Sequence, residues 1–129
     1  MIVSPDHYII ALGSNINPEK NIADALKMIE KNDPIIKQSQ ILKTAPIGIK
    51  YVPDFLNTCV LIASQKSLIE LKTELKKIED LLGRIRDKKN IGLHTIDLDI
   101  ILHNEKIIDH SFYKFDFLPS LIAELKISA

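Results

Sequence analysis

Apolar positions change their spacing several times along the 129-residue chain, and each change marks an element. Tyr8 to Leu12 is a continuous apolar, β-prone run that Gly13-Ser14-Asn15 ends as a turn. Ile22, Ala25, Leu26 and Ile29 then recur at helical spacing, so one apolar stripe faces inward. Asn17 is placed to cap this helix with Pro18 in its first position, and Asn32-Asp33-Pro34 stops it. Ile35 to Lys43 reads as a strand with imperfect alternation, and Asn57 to Ser64 as a strong one. Ser67 and Glu70 form a capping box for a helix running to Leu82, with Leu68, Leu71, Leu75, Ile78 and Leu82 on its buried face and Gly83 in the C′ position.

From His94 to Leu102 the alternation is strict. Asp97 and Asp99 take one face, Ile96, Leu98 and Ile100 the other. His103-Asn104-Glu105 is a turn, Lys106-Ile107-Ile108 a short return strand, and Phe117 to Ile127 a terminal helix started or broken by Pro119. The order β-α-β-β-α-β plus a tail predicts one domain over residues 1–129. Its class is α+β, a ferredoxin-like split βαβ sandwich with helices packed on an antiparallel sheet.

Two stretches resist assignment to elements. Thr44 to Asp54 carries prolines at 46 and 53 and a glycine at 48, and is long for a bare connection. Arg84 to Leu93 is polar and holds Arg84, Arg86, Lys88 and Lys89. Both are candidate binding loops. The two strand carboxylates sit about 6.5–7 Å apart at the Cα, and repel unless a cation lies between them. Hard oxygen ligands of this kind suit Mg²⁺ together with substrate phosphates. The plainer reading of a bare D-x-D is a solvated strand edge.

Composition narrows the classes. Hydrophobic residues make up 46% and charged residues 26%, enough for a proper core, and Lys+Arg balances Asp+Glu at 17 each, which leaves no global basic field for nucleic acid. The lone Cys59 excludes a disulfide framework and, inside Cys59 to Ala63, reads as a buried small hydrophobe. No apolar run approaches membrane-spanning length, and the first residues have no charged n-region or long apolar h-region, so the expected location is the cytoplasm.

Four segments stand out in order: Ala11-Leu12-Gly13-Ser14-Asn15; Thr44-Ala45-Pro46-Ile47-Gly48 with Asp54-Phe55-Leu56-Asn57; Ile78-Glu79 with Gly83-Arg84-Ile85-Arg86; and Asp97-Leu98-Asp99. Together they resemble the 6-hydroxymethyl-7,8-dihydropterin pyrophosphokinase family. The resemblance runs from about Tyr8 to Asp99, with a weaker echo to about Leu125.

It implies transfer of the β,γ-pyrophosphoryl group of ATP to the pterin hydroxymethyl, with release of AMP. It assigns two Mg²⁺ to Asp97 and Asp99, phosphate contacts to Arg84 and Arg86, and nucleotide-site positions to Glu79, Lys76 and His94. The pterin is expected between Phe55 and Phe115, with Asn57 on its edge and Thr44, Pro46 and Ile47 contributing mainly backbone groups. The two loops are expected to close over ATP, and the chain to act as a monomer without nucleic-acid or membrane partners.

Departures accompany the match. Gly92-Leu93-His94 stands where the family usually carries Gly-Pro-Arg, Ile91 replaces a common aromatic, and Lys76 a glutamine. Roughly ten residues are missing between Asp99 and Phe115, a common loop length, and Tyr113 occupies the slot of an arginine. Two other functions stay open: a non-catalytic pterin- or nucleotide-binding paralogue, and a ferredoxin-like interaction or RNA-binding module.

Overall fold

The computed structural model describes residues 4–46, 51–84 and 92–126. Ile47, Arg86, Lys88 and Lys89 lie outside the described residues, as do parts of both loops expected to close. The elements are β1 (Asp6–Ser14), α1 (Pro18–Asn32), β2 (Ile35–Gln38), β3 (Leu42–Thr44), β4 (Phe55–Ser64), α2 (Leu68–Leu81), β5 (Asp97–His103), β6 (Lys106–Ile107), α3 (Ser111–Lys114) and α4 (Phe117–Ala123). The sheet is antiparallel in the order β2-β4-β1-β5-β6, with β3 also paired to β4. With β2 and β3 taken together, this is the split βαβ arrangement.

The alternation along the strands divides the core in two. Tyr8, Ile10, Leu12, Val60, Ile62, Leu98 and Ile100 meet the apolar stripes of α1 and α2 on one face. Ile9, Cys59, Leu61 and Ile101 meet Leu118, Leu121 and Ile122 of α4 on the other. The short α3 and α4 cover only part of that second face, and the uncovered part holds the cavity described below.

Several local expectations are corrected. The single strand Ile35–Lys43 is two strands on the same edge of β4. The chain breaks at Ser39, whose N–H donates to the Cys59 carbonyl while its Oγ accepts the Cys59 N–H, both at 2.9 Å. Asn17 does not cap α1 with its side chain. It adopts the left-handed conformation (φ 41°), which asparagine tolerates, and Asn21 donates to the Ile16 carbonyl instead. The last helix ends at Ala123 rather than Ile127, and α3 precedes it. By contrast, the Ser67/Glu70 capping box forms in both directions, and Gly83 has φ 86° after α2.

Strand β5 begins at Asp97, not His94, and carries a bulge. Ile9 pairs with Leu102 but Ile10 with Ile100, so Ile101 is an extra residue. Bulges re-aim neighbouring side chains. Here Ile101 and Leu102 both turn to the α4 face.

Candidate active site

Register assembles the site. Gly13 pairs with Asn57 of β4 on one side and Asp97 of β5 on the other, and Ala11 lies likewise between Cys59 and Asp99. Residues paired across strands share a face. Asn57, Gly13 and Asp97 therefore form one row on the face opposite α1 and α2, with Asp99 one row away. Two strand spacings separate the backbones of Asn57 and Asp97, about 9–10 Å. The residue between them is glycine, so the floor of the row is open. An added Cβ at Gly13 would stand 3.0 Å from Asn57 Oδ1.

Above this row lies a cavity of about 360 Å³, within the range of small-molecule sites. Thr44, Pro46, Phe55 and Asn57 line it together with His94, Asp97 and Asp99, and the Phe55 and His94 rings lie 5.6 Å apart. The tail contributes Lys114, Phe115 and Phe117. Asn57 Nδ2 donates to Thr44 Oγ1 at 2.6 Å, so the Thr44 side chain holds the Asn57 amide at the cavity. Phe115 and Phe117 lie 5.5 Å apart in a tilted pair.

Charge is unevenly compensated. Arg84 Nε donates to Asp97 Oδ1 at 3.1 Å. His94 Nδ1 lies 3.0 Å from Asp97 Oδ2, near enough for attraction but misaligned for a hydrogen bond. Asp99 makes no ion pair among the described residues. It is exposed at the cavity, yet protein crowds it on most sides. The lost hydration, then the charges of Asp97, Asp109 and Glu79, push its carboxyl up to about 7, with Arg84 opposing.

That excess of negative charge is what a cation would relieve. Among the described residues no cluster of three or more His, Cys, Asp or Glu forms a metal cage. Two carboxylates suit an ion that keeps ligands from water and phosphate, as Mg²⁺ does, so the donor set fits.

Glu79 and Lys76 stand apart from this cavity. Glu79, on α2, accepts the Leu98 N–H at 2.8 Å and so satisfies the edge of β5 between the two aspartates. Lys76 is exposed on α2 and does not line the cavity.

The sequence model of the 7,8-dihydro-6-hydroxymethylpterin-pyrophosphokinase (HPPK) family matches residues 9–127. The chain belongs to this family. It is 38% identical over 104 residues to the 2-amino-4-hydroxy-6-hydroxymethyldihydropteridine pyrophosphokinase of Haemophilus influenzae, covering 78% of this chain and 64% of that protein. It is 36% identical over 103 residues to the protein of the same name from Bacillus subtilis, or 78% and 61% of the two chains. A mitochondrial folate synthesis bifunctional protein of Pisum sativum is 34% identical over 102 residues, 78% of this chain and 20% of its own length. The matched part thus spans less than two thirds of each of these relatives.

Within the HPPK family pattern, the motif asparagine Asn15 has a role that its sequence position did not reveal. Its side chain is buried, donates to the carbonyls of Gly92 (2.6 Å) and Pro53 (3.3 Å), and accepts the His94 N–H (2.7 Å). Ser14 Oγ donates to the Thr95 carbonyl at 2.6 Å. The turn after β1 therefore fastens the segment leading into Asp97. A polar pair directly after an apolar strand is the only signal the sequence offers for this. Lys114, Phe117 and Asp109 belong to no motif either, since the shortened tail obscures their register.

Proposed function

We propose that this chain transfers pyrophosphate from ATP to 6-hydroxymethyl-7,8-dihydropterin in folate synthesis. The observation that carries the reading is the row Asn57–Gly13–Asp97. A flat bicyclic heterocycle laid over Gly13 meets hydrogen-bonding groups of Asn57 at one edge and presents its opposite substituent to the carboxylates. Phe55 and Phe115 supply the aromatic surfaces; stacking adds about 0.5–1.5 kcal/mol beyond area burial.

In the reaction the hydroxymethyl oxygen attacks the β-phosphorus of ATP. Its O–H proton passes to solvent, the bond from the β-phosphorus to the α,β-bridging oxygen breaks, and AMP leaves. Such chemistry depends mostly on positioning and charge neutralisation. Asp97 and Asp99 would hold Mg²⁺, two ions when ATP is present. When bound, Mg²⁺ supplies charge neutralisation on the phosphate oxygens. Arg84 holds Asp97 through its Nε–H, and Arg84 and Arg86 are read as phosphate contacts. Glu79 holds β5 in place, Lys76 is read as an outer contact to the nucleotide, and Asn15 holds His94 at the cavity wall.

The reading extends to a monomer working in the cytoplasm, with neither nucleic acid nor membrane as partner. The balance of 17 basic and 17 acidic residues leaves no global basic field for nucleic acid, and among the described residues no helix is long and apolar enough to cross a membrane.

A second reading, pterin binding without transfer, draws on one observation: His94 stands in an arginine's place and is turned to Asp97. AMP production from ATP and 6-hydroxymethyl-7,8-dihydropterin with Mg²⁺ separates the two. AMP that requires the pterin and is lost in Asp97→Ala and Asp99→Ala supports transfer. Folded protein that binds pterin and forms no AMP supports the second reading.

A further inference from the structure

The tail brings an unassigned cation to the cavity. By spacing, Tyr113 falls where an arginine is expected, but Tyr113 is 73% exposed, packs edge-on against Phe112 at 5.2 Å, and does not line the cavity. Its neighbour Lys114 does. The short α3 fixes this choice. Asp109 Oδ1 accepts the Ser111 N–H at 2.7 Å, and the Phe115 N–H donates to the Ser111 carbonyl at 3.1 Å, so Lys114 leaves α3 beside the cavity.

The other described basic side chains near the carboxylates are Arg84 and His94, and both are turned to Asp97. Lys114 makes no ion pair among the described residues. Its Nζ lies 5.4 Å from the centre of the Phe115 ring. Contacts of this kind at exposed sites are among the weaker polar attractions, and a phosphate oxygen readily outcompetes a ring face for an ammonium.

We propose that Lys114 is a phosphate-binding cation of this cavity, engaging the condensed phosphate chain of the nucleotide from the tail side. This rests on the pyrophosphate-transfer reading for the identity of the ligand. Lysine suits the position because a flexible stem carrying a point charge can follow a phosphate chain without a fixed fork geometry.

The test is calorimetric titration of the full chain with Mg²⁺–tripolyphosphate, and separately with 6-hydroxymethylpterin. Lys114→Ala is expected to weaken tripolyphosphate binding by about tenfold or more, the loss typical of one charge-assisted hydrogen bond. Pterin affinity is expected to stay within about twofold, Lys114→Arg to recover most of the loss, and Tyr113→Ala to bind tripolyphosphate like the parent. Unchanged tripolyphosphate affinity in Lys114→Ala overturns the assignment, as does an equal loss of both ligands or no binding by the parent chain. Lys114-dependent tripolyphosphate binding without AMP formation from ATP and the pterin substrate leaves the assignment standing and removes the transfer reading.

Discussion

Asn15 and His94 are joined twice: the Asn15 N–H donates to the His94 carbonyl at 3.0 Å, and the His94 N–H donates to Asn15 Oδ1 at 2.7 Å. The same amide holds Gly92 and Pro53, so one buried side chain ties together the ends of both candidate binding loops. Asn15→Ala strands these groups without partners. It is expected to lower unfolding free energy by about 2–3 kcal/mol in urea titrations. Asn15→Asp fails as well, because a carboxylate cannot donate to the Gly92 carbonyl. A loss below about 0.5 kcal/mol would show the amide to be dispensable.

Asp99 should make the metal-free protein more stable in acid than a neutral pH optimum suggests. Its folded carboxyl is pushed up to about 7 from an ordinary value of 3.8, so the folded state holds the proton more tightly than the unfolded chain. That contribution is fully present below the unfolded value and is lost as pH rises through about 7. Asp99→Asn removes the loss. In chelator, the variant is expected to exceed the parent by about 1 kcal/mol at pH 8, after allowing for the solvent this side chain faces, and to match it near pH 4. Urea melts at the two pH values decide it.

Asp97 is expected to behave in the opposite way. Asp97→Asn takes a charged partner from Arg84, whose side chain is 14% exposed, and is expected to cost about 1–2 kcal/mol at pH 7. Equal shifts for the Asp97 and Asp99 variants in the same melts would contradict the uneven compensation of the two carboxylates.

Gly13→Ala tests the floor of the site. The new methyl meets Asn57 Oδ1 at 3.0 Å and displaces a side chain that donates to Thr44. Affinity for 6-hydroxymethylpterin is expected to fall about tenfold, while stability moves by less than about 1 kcal/mol. Undiminished pterin binding, read by fluorescence titration, would place the heterocycle elsewhere.

Cys59 should be chemically silent in the native state. Burial, with a smaller contribution from the charge of Glu124, pushes its thiol up to about 12, and it is fully buried. Its modification by a thiol reagent at pH 8 is expected to follow global unfolding across a urea series. Rapid labelling in native buffer would contradict the packing under α4.

The elements that carried long patterns were legible in the sequence. The stripe of α1, the capping box of α2 and the alternation around Asp97 each follow from local chemistry. The break at Ser39 was not, because it depends on Ser39 exchanging hydrogen bonds with Cys59 of a distant strand. The bulge at Ile101 is invisible for the same reason: Ile100, Ile101 and Leu102 are alike in hydropathy, and only the partner strand selects the extra residue. In the site, Asp97, Asp99, Phe55 and Asn57 could be named from motifs. Lys114 could not, since which of two adjacent tail residues faces the cavity is fixed by α3, a four-residue helix without a periodic signal.

The row that crosses three strands has a kinetic meaning. Residues 13, 57 and 97 are far apart in sequence and become neighbours only when β1 has zipped to both β4 and β5. Pairings of such long range form late, because the chain must close large loops before it gains contacts. The surface proposed to receive the pterin is thus finished only when the central sheet is. A molecule that binds there holds those three strands together, and slows the opening of the sheet as a clasp would.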